Sequence, residues 1–135
     1  MAGNGPIHCS VVTPERAVLE ADVTAIVYPQ HDGMAGVLKD RAPIVCQLGI
    51  GELRVDLAAG GSKRFVIDGG FCQVIHNKVA ILTQHAVAAE EIDPAQARRE
   101  LEAAEAMKVS DASSLLARQE AVARAKALIA AAERR

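Results

Sequence analysis

Four histidines, three cysteines and one short glycine motif are where chemistry could rest in this 135-residue chain, and their spacing argues against most of it. A zinc site needs closely spaced Cys or His pairs. His8 and Cys9 are adjacent, so on a strand they point to opposite faces. His76 and His85 have no partner at ligand spacing. Cys72 and His76 would share a strand face, as a nucleophile and its base should. Four residues of strand hold their α-carbons ~13 Å apart, too far for direct proton transfer. Gly33-Met34-Ala35-Gly36 is too short for a phosphate loop and no Gly-Lys-Ser/Thr follows it; it reads as a turn. Glu90-Glu91 reads as a solvated pair. Arg98-Arg99 and the Arg124/Lys126 pair read as exposed helix surface or as partner or anion contacts. No constellation makes an active site, so the chain is not expected to be an enzyme.

The elements that carry these residues follow from composition. Half of the residues are hydrophobic, 24% are charged and the formal net charge is -2, which describes a folded chain and not a disordered one. Aromatic content is 2%, from Tyr28, Phe65 and Phe71. Binders of single-stranded nucleic acid need stacking faces and a basic groove, so nucleic acid is not an expected partner. Near-neutral charge also disfavours generic binding to DNA or anionic lipid. No apolar run approaches the roughly 18 residues of a membrane span, and the first residues lack a signal or transit pattern. The expectation is a cytosolic or equivalent compartment, with Cys9, Cys46 and Cys72 as buried free thiols.

All ten glycines fall within the first 70 residues, with four of the five prolines; from Ala89 onward there is no Gly and Ala dominates. Such a split marks two architectures. Ile7, Cys9 and Val11 alternate with His8 and Ser10. Val23 to Tyr28 is apolar on both faces, and Leu53, Val55 and Leu57 alternate with Glu52, Arg54 and Asp56. Ala59-Gly60-Gly61-Ser62 and Asp68-Gly69-Gly70 read as turns, setting off strands around Phe65–Ile67 and Phe71–Ile75; a further strand covers Val79–Thr83. Short antiparallel strands at this spacing predict a sandwich or barrel over residues 1–88.

Residues 89–135 predict a two-helix hairpin. Asp93-Pro94-Ala95-Gln96 combines an N-cap acid, Pro at the first helical position and Gln three residues after the cap. Val109-Ser110-Asp111 reads as a short turn and a second cap. The apolar stripes are Ala97, Leu101 and Ala104, then Leu115, Val122, Ala125, Ile129 and Ala132. They are thin: an Ala methyl contributes ~0.8 kcal/mol on burial against roughly 1.5–3 for Leu or Ile. Residues 1–88 carry seven basic and eight acidic groups, so overall charge balance gives no reason for one part to be pinned to the other. A weakly docked hairpin is expected, suited to changing its packing partner.

In order along the chain, Gly33-Met-Ala-Gly36-Val37-Leu38 with Ala42-Pro43, then Phe65-Val-Ile-Asp-Gly69-Gly70-Phe71 and Asn77-Lys-Val79, resemble motifs of the epsilon subunit of F-type ATP synthases. The Ala-rich tail opening at Ile92-Asp93 is similar too, so the resemblance runs from Ile7 to the C-terminus. It implies a β-sandwich of about ten strands followed by the helical hairpin. It also implies a non-catalytic rotor part that couples the gamma subunit to the c ring of a proton- or sodium-translocating enzyme. The tail would extend toward the alpha and beta subunits and restrain ATP hydrolysis. Implied partner contacts are His31, Asp32, Met34, Arg41, Arg118, Arg124 and Lys126. Implied location is peripheral, on the cytoplasmic face of a bacterial inner membrane or its plastid equivalent, without a span of its own.

Two departures bear on nucleotide. Members that bind ATP carry Ile/Leu-Asp-x-x-Arg-Ala; here Ile92-Asp93 is followed by Gln96 in the Arg position. Arg124 matches a second-helix arginine, but Leu128 stands where another is expected. Charge-assisted bonds to phosphate are the strong ones, so losing two cations predicts weak or absent ATP binding, with no cofactor. Alternative readings are a nucleotide-sensing module and an unrelated sandwich adaptor.

Overall fold

The computed structural model describes residues 7–30, 33–38 and 44–134. Seven strands come first: β1 (Ile7–Val12), β2 (Ala17–Gln30), β3 (Gly33–Leu38), β4 (Ile44–Leu57), β5 (Ser62–Ile75), β6 (Lys78–Leu82) and β7 (Ala86–Ala88). A 3-10 turn at Ala89–Glu91 leads into α1 (Pro94–Glu105) and α2 (Ala112–Arg134). The strand order is β1-β6-β5-β4-β2-β3, closed by a β1–β2 pairing, with β7 on β5. All pairings are antiparallel except β1 with β6.

Three strands of 14 residues explain why about ten strands are expected and seven continuous ones are found among the described residues. Each long strand serves in both layers. The start of β2, β1, β6, the end of β5 and the start of β4 form one sheet; β7, the start of β5, the end of β4, the end of β2 and β3 form the other. The glycine pair Gly69-Gly70, expected to turn the chain, instead bends β5 without interrupting it. The register with β4 keeps one phase from Ile44↔Val74 to Asp56↔Ser62, skipping only the position of Gly49 and Gly69 at the bend. Both glycines have positive φ, 69° and 108°, and a Cβ on Gly70 would lie 1.9 Å from the Leu82 carbonyl oxygen. Gly33–Gly36, likewise expected as a turn, lies inside β3, where pairing with Val27–Gln30 supplies the backbone bonds a turn would otherwise make locally.

The inner faces close one core. Ile7, Cys9, Val11, Leu53, Val55, Ile67, Val74 and Ile81 are all buried in it. The double apolar face of β2 has a cause: a bulge between Val23 and Ala25 shifts the inward set from Val23 to Ile26 and Tyr28. Such a one-residue shift exchanges the two faces. The β5–β6 turn places His76 and Asn77 at φ 49° and 60°, as a two-residue type I′ hairpin requires. The Asn77 carbonyl then accepts from His8 N–H at 2.8 Å, tying β1 to that turn.

Both helix starts form as their sequences predict. Asp93 caps α1, accepting from Ala95 N–H at 3.0 Å, with Pro94 at the first position. Gln96 does not complete a capping box; its carboxamide oxygen accepts from Arg99 at 2.7 Å. At α2, Asp111 accepts from Ser114 N–H at 2.8 Å while Ser114 Oγ accepts from Asp111 N–H at 3.1 Å, a reciprocal cap. The Ser114 backbone bond and then its hydroxyl hold the Asp111 carboxyl below its usual range.

Candidate functional site

Two surfaces stand out. One is the outer face of the sheet that contains β6. Strand alternation turns Cys72 and Val74 into the core and so must turn Phe71, Gln73 and Ile75 outward. Val45 is 70% exposed, Phe71 55%, Leu82 48% and Ile75 39%. Phe71 is the direct cross-strand partner of Leu82, and Val45 sits opposite Gln73, the next outward residue along β5. Beside Phe71 and Leu82 lies a hollow of about 340 Å³ whose walls include Val12, Pro14 and Thr83. Scattered exposed apolar residues are ordinary, but a contiguous set on one sheet face marks an interaction site.

The other surface is the seam between the hairpin and the second sheet. Val66, Ala89, Ile92, Ala97, Ala131 and Ala132 form a small buried cluster, with Val87, Ala127, Leu128 and Ile129 packed against it. The apolar contact is as thin as the sequence implies, but charge adds to it. Arg124 places Nε at 2.9 Å and Nη2 at 2.8 Å from Asp68 Oδ2. Arg134 Nη2 donates to Glu52 Oε2 at 2.5 Å, and Arg64 Nη1 holds Glu52 Oε1 at 2.6 Å. Burial alone would raise the Glu52 carboxyl; the bonds from Arg134 and Arg64 and their charges outweigh it and leave the group below its usual range. Balanced totals in each part thus conceal specific pairs between the parts. Further toward the hairpin tip, a cleft of about 510 Å³ opens between Leu116, Gln119 and Ala123 of α2 and Gln47, Ile50 and Gly69 of the bend.

Residues 6–89 match the family model described as ATP synthase, Delta/Epsilon chain, beta-sandwich domain. The chain is 37% identical over 120 residues to the ATP synthase epsilon chain of Rhodopirellula baltica, covering 89% of this chain and 93% of that one. It belongs to the ATP synthase epsilon-chain family. The epsilon chain of Roseiflexus is 45% identical over 92 residues, 68% of this chain and 66% of the relative. A chain in the Euglena gracilis mitochondrial ATP synthase, solved with OSCP, F1 and the c-ring, superposes with a TM-score of 0.83. That match is 31% identical and covers 97% of this chain and 85% of the other.

The epsilon-family residues singled out from sequence fall into separate places. His31, Asp32 and Arg41 lie outside the described residues. Met34 lies on β3, opposite Pro29 in the register. Ile92 is buried in the cluster under the hairpin, and Asp93 is occupied as the α1 cap. Arg124 is engaged by Asp68. It lies seven residues before Ala131, which shares Ile92's cluster, or ~10 Å along α2 at 1.5 Å per residue. Arg118 donates to the Glu105 carbonyl at 3.2 Å, where a cation at a helix C-terminus is favourable. Lys126 is exposed.

Sequence reading missed the cross-strand pair Cys46↔Cys72. Cys46 Sγ lies 3.1 Å from the Tyr28 hydroxyl. Burial pushes both Cys9 and Cys72 up to about 12, with Cys46 and Cys9 adding to the effect on Cys72. It missed as well the exposed row on β4, β5 and β6, since the strands around Phe71–Ile75 and Val79–Thr83 were placed without assigning a face to Phe71 or Leu82. The signal that could have found the row was parity: Phe71 alternates with Cys72 and Val74.

Proposed function

We propose that this chain is a non-catalytic central-stalk subunit of a proton- or sodium-translocating F-type ATP synthase. It joins the gamma subunit to the c ring and restrains ATP hydrolysis through its C-terminal hairpin. The observation that carries the reading is the exposed row Val45, Phe71, Ile75 and Leu82 on a sandwich of this family. An apolar sheet face of this kind fits a permanent protein contact, and we assign it to gamma. The hairpin, held by Ala packing and two ion pairs, is suited to leaving the sandwich and extending toward the alpha and beta subunits. Attachment is then peripheral, on the cytoplasmic face of a bacterial membrane; no helix among the described residues is long and apolar enough to cross one.

Copurification with the gamma subunit tests the rotor role. Wild type should copurify stably, and a Phe71→Asp/Leu82→Asp chain should lose at least tenfold in affinity while keeping its melting temperature within a few degrees. A wild type that binds no gamma overturns the rotor role; a double variant that binds normally overturns the assignment of this face. Removing residues 89–135 and measuring ATP hydrolysis by the assembled enzyme tests restraint, which requires activity to rise or latency to fall.

Nucleotide binding is proposed to be weak or absent. Gln96 replaces one cation, Leu128 replaces another and packs beneath the hairpin, and Arg124 already spends two donors on Asp68. Calorimetry with ATP should give no micromolar affinity.

A further inference from the structure

We propose that Arg124 and Arg134 form a two-point ionic latch that closes α2 onto Asp68 and Glu52, so that ionic strength sets how often the hairpin lifts. The inference deepens the proposed regulatory role of the hairpin and rests on it for its biological meaning, although the latch itself is a property of the chain alone.

The apolar part of the seam is poor in large side chains. From α2 it buries Ala131 and Ala132, with Ala127, Leu128 and Ile129 half-buried beside them; the sheet offers Val66 and Val87, and the segment before α1 adds Ala89 and one large side chain, Ile92. α1 contributes Ala97 to that cluster and otherwise rides on α2. Against this modest burial stand two charge-assisted contacts at the ends of one segment. Ten residues separate Arg124 from Arg134, ~15 Å of helix, and Ala127 and Ala131 lie between them.

The sheet side is prepared for the arginines. Glu52 is only 11% exposed, and Arg64 on the neighbouring strand grips its other oxygen. The carboxylate is therefore ionised and aimed before α2 arrives, which lowers the ordering cost of its pairing with Arg134. Asp68 stands immediately before the Gly69-Gly70 bend of β5 and accepts two donors from Arg124 on one oxygen. On the helix side the arginines are 39% and 52% exposed. Ions therefore reach the arginine side of each pair, and screening weakens the latch as the Debye length falls from ~10 Å at 0.1 M salt to ~3 Å at 1 M, although the sheltered carboxylates, 11% and 20% exposed, moderate it. A latch of this type loosens with salt, whereas apolar docking does not.

Native-state hydrogen exchange, read by mass spectrometry on the full chain at ~0.05 M and 1 M sodium chloride, tests it. At low salt, Asp68→Asn and Glu52→Gln should each speed exchange of the α2 amides after Val122 roughly fivefold, and together more than tenfold, as two partly exposed charge pairs imply. At 1 M salt the wild type should approach the variants. Strands β1 and β6 should exchange unchanged, which separates hairpin opening from global unfolding. The charge-reversed pair Asp68→Arg/Arg124→Asp should recover protection that each single reversal loses. A double neutral variant that exchanges like wild type at low salt overturns the latch. So does a wild type indifferent to salt, or a reversed pair as open as its single variants. Because no partner is present, failure to bind gamma would refute the rotor reading and leave this result standing.

Discussion

The bend in β5 sets the direction of Phe71 and of the exposed row, and Gly70→Ala is the sharpest test of it. At φ 108° an L side chain is strained, at a cost of ~1–3 kcal/mol. The added Cβ would also lie 1.9 Å from Leu82 O and 2.9 Å from Thr83 Cα. Both are backbone atoms, so relief needs β6 to retreat by about 1 Å or more and strains its pairing with β5, where each ladder bond contributes ~1 kcal/mol. The expected loss is roughly 3–5 kcal/mol, or a fall of about 10–18 °C in Tm for a chain of this size. Gly61→Ala is the control. It too has positive φ, 81°, but nothing lies within 4 Å of its added Cβ, so only the conformational cost of ~1–2 kcal/mol applies. Urea unfolding followed by circular dichroism, with m unchanged, gives both values. Equal losses for the two variants, within ~1 kcal/mol, would refute the close approach of β5 and β6 at the bend.

Further outcomes follow from other groups. Ile92→Ala should weaken hairpin docking by ~2–3 kcal/mol, seen as faster α2 exchange with little change in β1 or β6. Glu52 has a lowered folded pKa, so its contribution is complete above the unfolded value and is lost as pH falls through the folded one; α2 protection should decline below about pH 4.3 and be insensitive between pH 6 and 8. With Cys9 and Cys72 held up to about 12, only about one thiol in ten thousand is ionised at pH 8. Ellman's reagent should therefore label Cys46 first and reach the other two on the timescale of unfolding. Asp111→Ala should remove the α2 cap, seen as faster amide exchange confined to the first turn of the helix.

Much of the architecture was legible because local chemistry specifies it. Asp93-Pro94 and Asp111 begin the helices where their side chains can satisfy free backbone N–H groups. Alternation in Ile7–Val11 and Leu53–Val55 marks inward residues that are buried. The misread segments share a different cause. Gly33–Gly36 and Asp68–Gly70 have turn composition but lie within strands, because bonds to β2 and β4 outweigh local preference. Three strands bend between sheets, and no periodicity in their residues announces the crossing. The candidate contacts were harder still. Ile92 and Asp93 are occupied by packing and capping, and Arg124 by an acid 56 residues away.

The sequence alone determined that a glycine-punctuated sandwich precedes an alanine-rich hairpin, that the hairpin has little apolar surface to bury, and which family the ordered motifs resemble. Those properties reside in composition, spacing and short-range bonding. Tertiary structure decided which face of the sandwich is left apolar and open, that Gly70 must be glycine, and that Asp68 and Glu52 meet Arg124 and Arg134. Each of these depends on residues brought together across the fold, and charge acts through the distance between particular groups. A chain whose two parts are each nearly neutral can therefore be held shut by two pairs.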